Sequence, residues 1–163
     1  MKQISRNYKA KTIIGWHEWC RFPKLNLPGI IAKIDTGAKT SSLHAFKIKP
    51  FKREGESWVN FDVHPLQRHR YPVINCESRV VDERAVTSSN GTTEHRIVIS
   101  TSMVLGGRVF PTELTLTNRD EMGFRLLIGR KSLNRRFIVD PSLKLTLGDY
   151  EEDALYPTHP HKK

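Results

Sequence analysis

Short apolar runs separated by glycine, asparagine and proline follow one another along the chain, which is the pattern of an all-β protein. Apolar and polar positions alternate over residues 42–48, 58–64 and 113–117, as in strands that bury one face. Asn90-Gly91 and Gly106-Gly107 each lie between two strands and predict tight hairpin turns. Other short strands are predicted at 12–16, 18–22, 30–34, 80–86, 96–99, 102–105, 108–110, 124–129, 137–140 and 143–147.

A single domain accounts for these elements. A chain of 163 residues is long enough to bury a core without disulfides. Residues 130–134 form the only predicted helix, and it is short. Residues 150–163, which include His159 and His161, resemble the frayed end of a domain. We therefore predict an all-β domain at residues 1–149 and a flexible C-terminal tail at residues 150–163.

Positive charge is concentrated in the first third of the chain. Residues 1–53 contain 12 Lys and Arg against two acids, Glu18 and Asp35, whereas the other 110 residues contain 15 charges of each sign. The whole net charge of +10 therefore lies in the first 53 residues. Such a field attracts polyanions, namely nucleic acid, an anionic surface or an acidic peptide. A solvated basic face that maintains solubility is the alternative.

Membrane, secretory and disulfide-rich classes have no support in this sequence. No apolar stretch approaches the roughly 20 residues of a membrane-spanning helix. The N-terminal residues lack the apolar segment of a secretory signal, so we expect a cytoplasmic protein with no membrane partner. Cys20 and Cys76 are too few for a disulfide framework or a four-thiolate zinc site, and we expect buried, inert thiols.

The motifs predict no cofactor and no metal. The chain has no G-x-x-x-x-G-K-[ST] segment, so any dependence on ATP would belong to a partner protein. His17-Glu18 is not followed by a second histidine at the spacing of a zinc-protease helix. A three-ligand zinc site remains an alternative, built from the scattered residues His44, His64, His69 and His95.

The segment Asp35-Thr36-Gly37-Ala38 directly follows the apolar run at residues 30–34. A strand that delivers a carboxylate to a tight turn, followed by a hydroxyl and a glycine, is how aspartic proteases present their catalytic acid. That chemistry needs two carboxylates that share one proton, so that one activates water while the other protonates the carbonyl. The chain contains one such motif, so the second Asp would come from another copy. An ordinary surface turn is the alternative.

The order of three segments resembles that in the retroviral aspartic protease domain. The segments are this motif, a Gly-Gly hairpin, and Leu127-Ile128-Gly129-Arg130 before a short helix. A bacterial branch of retropepsin-like proteins, labelled ATP-dependent zinc proteases, is similar over nearly the full chain. The matching segments are Gly15–Trp19, Asp35–Ala45, Phe61–Leu66 and Leu116–Arg119. The resemblance implies a closed acid-protease barrel with one short C-terminal helix, acting as a homodimer. It also implies an ATP-grasp glutamate ligase as a possible partner and a glutamate-tailed ribosomal protein as a possible target.

The resemblance also implies which residues form the site. Asp35 would be the catalytic carboxylate, Thr36 would bond its counterpart across the dimer, and Gly37 would let backbone approach closely. Retroviral proteases have an Asp where this chain has Lys39, so the pairing of that Asp with the residue at Arg130 is lost. The Lys39 cation instead favours acidic side chains beside the scissile bond. The implied substrate-binding residues are Ala38, Lys39, Thr40, His44, the flap residues Ser88, Ser89, Asn90 and Gly91, and Arg119 and Arg130.

The predicted function is an aspartic endopeptidase that cleaves acidic or poly-glutamate segments. Arg84 and Arg96 are weaker candidates for carboxylate recognition, with cross-strand charge pairing as the alternative. Lys39 or His44 could replace the second Asp35 in a monomer. Two other functions stay open: a zinc-dependent peptidase, and a basic barrel that binds RNA or the ribosome through aromatics among its cations, namely Trp16, Trp19, Phe22 and Phe51.

Overall fold

The computed structural model describes residues 10–118 and 123–157, which contain eleven strands and three short helical segments. The strands are β1 (Thr12–Ile14), β2 (His17–Phe22), β3 (Leu27–Ile34), β4 (Ser41–His44), β5 (Phe46–Arg53), β6 (Glu56–Val63), β7 (Ile74–Thr87), β8 (Thr93–Leu105), β9 (Arg108–Thr117), β10 (Leu126–Ile128) and β11 (Phe137–Val139). The helical segments are a 3-10 turn (Pro23–Leu25), α1 (Arg130–Leu133) and α2 (Glu152–Leu155).

Six of the strands close into a barrel. Their order is β2-β3-β10-β4-β9-β8, and the barrel closes where β8 pairs again with β2, Arg21 opposite Val104. One continuous core fills it, with fully buried side chains that include Phe22, Leu27, Ile30, Leu43, Ile99, Met103 and Leu114. The predicted all-β closed barrel is therefore confirmed.

Beyond the barrel, β8 also pairs with β7, which extends the sheet through β6 to the edge strand β5. We call residues 46–63 the β5–β6 hairpin. Its turn at Glu54-Gly55 has positive φ at both residues, 49° and 78°, which suits a two-residue hairpin loop. Pro50 is tolerated in β5 because a strand at the sheet edge can lack one backbone donor.

The pairing of β3 with β10 positions the loop that follows each strand. The two strands run parallel, with Ile34 opposite Ile128, so Asp35 and Gly129 leave the barrel side by side. The Asp35 amide donates to the Ile128 carbonyl at 2.9 Å, which continues the pairing into the turn. The Asp-Thr-Gly turn is thereby attached to a segment far away in sequence.

The predicted strand at residues 143–147 is wrong. This segment is a turn that packs on the barrel end, where Leu145 and Leu147 are partly buried. The fully buried Glu18 carboxylate holds it in place by accepting from the amides of Gly15, Thr146 and Leu147 at 2.7–3.1 Å. The apolar alternation of this segment therefore reflects the packing of a turn on the barrel and does not mark a strand.

The tail prediction is wrong for residues 150–157. This segment contains a second one-turn helix, α2, so the described chain has two short α-helices rather than one. Tyr156 is only 4% exposed and its hydroxyl donates to the Gly29 carbonyl. Burial of one aromatic ring near the end of the chain keeps these residues on the barrel. Residues 158–163, with His159 and His161, lie outside the described residues. Within those described, no helix combines the length and apolar character needed to cross a bilayer.

Candidate active site

A groove of about 1060 Å³ lies between the loop after β3 and the β7–β8 hairpin. We define the groove by its lining residues: Asp35, Gly37, Ala38, Lys39, Thr40, Ser42, Arg84, Ala85, Val86, Thr87, Ser88, Ser89, Arg96, Thr115, Leu127 and Lys131. The turn of the hairpin is at Ser88–Thr92, as the Asn-Gly pair predicts, with the Gly91 amide bonded to the Ser88 carbonyl. A hairpin therefore flanks the loop that contains Asp35.

The Asp35 carboxylate is oriented by its own turn. It is half-buried, and its Oδ1 accepts from the Gly37 amide at 3.1 Å. The Ala38 amide donates back to the Asp35 carbonyl at 3.2 Å and closes the turn. A Cβ at position 37 would lie 3.3 Å from Asp35 Oδ1, so a side chain there would press on the carboxylate. Gly37 therefore leaves room for the Asp35 carboxylate, and the close approach of other backbone to Gly37 stays a prediction.

The β10–α1 connection braces this turn from behind. The amides of Arg130 and Lys131 donate to the carbonyls of Ala38 and Lys39 at 2.8 and 3.0 Å. The Arg130 side chain donates from Nη1 to the Thr36 carbonyl at 3.0 Å and does not line the groove. Arg130 therefore supports the turn from outside the groove, and its expected contact with substrate stays a prediction. Lys131, which was not predicted, lines the groove instead.

A buried hydroxyl network lies beneath the loop. Ser132 Oγ shares hydrogen bonds with Ser41 Oγ at 2.8 Å and Thr112 Oγ1 at 2.5 Å. Ser41 Oγ also accepts from the Gly129 amide at 3.0 Å. The network joins the start of β4, β9 and α1. Hydrogen bonds between uncharged groups therefore hold the base of the Asp35 loop in place.

The other predicted site residues divide into two groups. Ala38, Lys39, Thr40, Ser88 and Ser89 come together in the groove with Asp35. Three do not: Thr36 is exposed on the turn, and Asn90 and Gly91 lie at the hairpin tip. Arg119 lies outside the described residues, and its role stays a prediction.

His44 is not near Asp35, contrary to our expectation. It is 4% exposed and lines a separate cavity of about 200 Å³ with Phe46, His64, Arg70, Asn118 and Arg125. The reason is the direction of β4, which starts beside the loop at Ser41 and gains about 3.3 Å per residue away from it. His44 therefore has no place beside Asp35 as an alternative catalytic partner.

Arg84 and Arg96 line the groove from directly opposite positions of β7 and β8. Like charges opposite one another destabilise a hairpin unless other groups compensate them. Arg84 pairs with Asp82 at 2.7 Å and Glu113 at 3.0 Å, and Arg96 pairs with Glu94 at 3.1 Å. The Arg84 hydrogen bond lowers the pKa of Asp82. A two-residue turn at Asn90-Gly91 would place Arg84 opposite Ile97, so the pairing of the two arginines depends on the longer turn that the structure has.

The residues present do not fit a zinc site. Among residues 10–118 and 123–157, no three His, Cys, Asp or Glu side chains come together in a group that could hold a metal ion. Cys20 and Cys76 are free, buried thiols, as expected, and burial raises the pKa of Cys76 to about 12.

Two of the four aromatics proposed for RNA binding lie in the core. Trp19 is 5% exposed and Phe22 is fully buried. Phe51 packs within its own hairpin against Trp58, with the ring centroids 6.5 Å apart. Base stacking needs accessible ring faces, so these three rings do not form a binding platform.

A closed barrel with an Asp-Thr-Gly turn at the floor of a hairpin-flanked groove defines the retropepsin-like class. Residues 13–148 match the RimB-like family, described as retropepsin-like aspartic endopeptidase RimB. The match covers most of the chain, and the chain belongs to this family.

The similar proteins include larger enzymes. A protein of Shewanella pealeana named probable alpha-L-glutamate ligase is 51% identical over 156 residues, covering 94% of this chain and 34% of that protein. A protein of the same name from Desulfotalea psychrophila is 49% identical over 146 residues, covering 90% of this chain and 32% of its own length. The chain thus spans about a third of these curated relatives. The crystal structure of a Legionella pneumophila protein of unknown function is similar to this chain, with 29% sequence identity and a TM-score of 0.71. The similarity covers 85% of this chain and 99% of that one.

Proposed function

We propose that this chain is an aspartic endopeptidase that hydrolyses peptide bonds in acidic, glutamate-rich segments. The observation that carries the proposal is the charge of the groove. Asp35 is its single acidic lining residue in the described part of the chain, and the other charged lining residues are the cations Lys39, Arg84, Arg96 and Lys131. A groove with one acid for chemistry and four cations around it suits an anionic peptide.

The reaction requires a second carboxylate, which we assign to Asp35 of another copy in a homodimer. One carboxylate of the pair is protonated, and the other accepts a proton from a water molecule. The water oxygen attacks the peptide carbonyl carbon while the protonated carboxyl donates to the carbonyl oxygen. Proton transfer to the amide nitrogen then breaks the C–N bond and releases a carboxylic acid and an amine.

The β7–β8 hairpin tip is proposed to act as the flap. Ser88 and Ser89 line the groove. The Ser88 hydroxyl donates to Asn90 Oδ1 and the Thr92 carbonyl within the turn, so we assign donation to peptide carbonyls to the Ser89 hydroxyl. Movement of such a hairpin over a bound peptide excludes water, which strengthens the electrostatic interactions within the site.

The choice of glutamate comes from the relatives. Two proteins that contain a region like this chain are named probable alpha-L-glutamate ligases, and the match covers about a third of each. A hydrolase beside such a ligase would act on the ligase product. We accordingly propose an ATP-grasp ligase as the partner and a glutamate-tailed ribosomal protein as the target.

The test compares wild type and Asp35→Asn on a glutamate-rich peptide and its glutamine counterpart. We expect Asp35→Asn to lower the cleavage rate at least about 1000-fold because the amide can neither accept nor hold the shared proton. The control Asp62→Asn, in the β5–β6 hairpin, should keep wild-type activity. Unchanged thermal unfolding would show that Asp35→Asn folds. Equal cleavage by both proteins would refute the proposal, and loss of cleavage with a chelator alone would indicate a metal peptidase.

Mixing the two proteins tests the homodimer. At fixed total concentration, activity should fall as the square of the wild-type fraction, because only pairs with two intact Asp35 residues are active. A linear decrease would show that one chain is sufficient.

A further inference from the structure

The two arginines that face each other across β7 and β8 differ in how their guanidinium groups are occupied. We propose that Arg96, with Ser42 and Thr115, forms the subsite that binds a glutamate side-chain carboxylate of the substrate, and that Arg84 does not. This inference rests on the proposed function, since it assigns the specificity of the same groove.

Arg84 is already bound at both accessible edges. Its Nε donates to Asp82 at 2.7 Å, and its Nη1 forms an ion pair with Glu113 at 3.0 Å. These two carboxylates balance its charge and raise its pKa. A substrate carboxylate would have to displace one of them and would meet the negative charge of the other. Arg84 therefore stabilises the wall of the groove.

Arg96 has one carboxylate partner and a weakly bonded edge. Its Nε donates to Glu94 at 3.1 Å, while Nη1 reaches only the hydroxyl oxygens of Ser42 and Thr115, both at 3.4 Å. These are long contacts to neutral groups. Its side chain is only 12% exposed, so water screens the charge poorly. A carboxylate at the Nη edge would form the two-point contact that a guanidinium favours.

The residues around the Nη edge complete a pocket for a glutamate side chain. Ser42 and Thr115 are opposite one another in β4 and β9, so their hydroxyls point to the same place. Leu127 is the partner of Ser42 on the other side and also lines the groove. The Ser42 hydroxyl can donate to the carboxylate while the leucine contacts the methylene groups. The Thr115 hydroxyl donates to the Ser41 carbonyl at 3.4 Å and would have to turn from that long bond to do the same. A glutamine in this pocket leaves the Arg96 charge without its additional counter-ion.

The experiment measures discrimination between a glutamate peptide and the same peptide with one glutamine at the scanned position. For wild type we expect kcat/KM to favour glutamate about 100-fold at one position, because the analogue leaves the poorly solvated Nη edge of Arg96 without a charged partner. In Arg96→Gln the ratio of kcat/KM for glutamate to that for glutamine should fall to about 1. In Arg96→Lys this ratio should lie between the Arg96→Gln and wild-type values, because the charge is kept and the two-point contact is lost. Arg84→Gln should keep the wild-type ratio, whatever its effect on the overall rate.

A second variant and a binding measurement keep the inference falsifiable if Arg96→Gln folds poorly. Ser42→Ala/Thr115→Val leaves the Arg96–Glu94 pair in place and should reduce the glutamate preference about tenfold, because the hydroxyl contacts to the substrate carboxylate are lost. Fluorescence anisotropy with labelled peptides on Asp35→Asn protein measures the same preference without cleavage.

The outcomes separate the two proposals. Equal binding of the two peptides by Asp35→Asn protein, or a glutamate preference that survives Arg96→Gln or depends on Arg84 instead, overturns the Arg96 subsite. Arg96-dependent binding of the glutamate peptide without any cleavage by wild type supports the subsite and refutes the proposed hydrolysis.

Discussion

The groove and the β5–β6 hairpin both carry four cations, in two different physical settings. In the hairpin, Lys47, Lys49, Lys52 and Arg53 are exposed, and the Arg53–Glu77 pair at 3.1 Å is nearly half exposed on both sides. Charges in water are screened and interact weakly. In the groove, cations surround one acid, and Arg96 is largely removed from solvent. The comparison teaches that burial and partners, rather than the number of charges, identify a binding site.

The origin of these cations along the chain makes the same point. The first 53 residues contain all of the net charge, yet among the Lys and Arg residues of the described range 10–53 only Lys39 lines the groove. Arg84, Arg96 and Lys131 come from the part of the chain whose charges cancel. In the hairpin, Arg53 instead lies over an aromatic ring of the hairpin itself, with its guanidinium carbon 4.5 Å from the Trp58 ring centroid.

The largest contrast between the two regions is expected from glycine substitutions. A Cβ on Gly129 would lie 2.7 Å from the Thr40 carbonyl carbon, so Gly129→Ala must displace the Asp35 loop. We expect activity to fall about 100-fold, since a shift of about 1 Å in catalytic groups has such an effect. Gly55→Ala meets no atom within 4 Å and strains only its φ of +78°, at a cost of about 1 kcal/mol. Peptide cleavage measures the activity of the two variants, and thermal unfolding measures their stability. Full activity of Gly129→Ala would show that the close contact between Gly129 and Thr40 is not needed to hold the Asp35 loop.

Charge removal should give an intermediate contrast. Lys39→Gln/Lys131→Gln should raise KM for the glutamate peptide about fivefold at low salt, because each exposed lysine contributes about 0.2–1 kcal/mol to an ion pair. The effect should shrink as salt increases. The matched variant Lys49→Gln/Lys52→Gln in the hairpin should change KM less than about twofold. Equal effects of the two double variants would mean that overall charge, rather than the groove, attracts the substrate.

The smallest contrast concerns serine hydroxyls and is a difference in stability. Ser132→Ala removes the centre of a buried network and leaves Ser41 and Thr112 short of a partner, at a cost of about 1–3 kcal/mol in the free energy of unfolding. Ser57, whose hydroxyl accepts from Lys52 Nζ at 2.7 Å, is exposed. Ser57→Ala should therefore stay within about 0.5 kcal/mol of wild type. Denaturant unfolding distinguishes these values, and equal stability of the two variants would show that the network adds nothing.

The sequence predicted those parts of the site that depend on short-range chemistry. The apolar strand before Asp35 and the hairpin at Asn90-Gly91 both occur where the local pattern places them. Those predictions succeeded because alternation and turn residues act over a few positions. His44 is close to Asp35 in sequence, but β4 carries it away from the Asp35 loop and into a different cavity, so its predicted place beside Asp35 was wrong. Leu143–Leu147 has strand-like alternation that comes from packing a turn on Gly15 and Glu18.

By itself, the sequence determined the all-β class, the turn that presents Asp35 and the turn of the β7–β8 hairpin. The tertiary structure decided which side chains share the groove with Asp35. Arg130 reaches the Thr36 carbonyl across 94 residues, and Arg96 meets Ser42 across 54. Such contacts depend on which strands pair in the closed barrel. Pairing between distant strands is selected by the packing of the whole core and leaves no periodic trace in either segment alone.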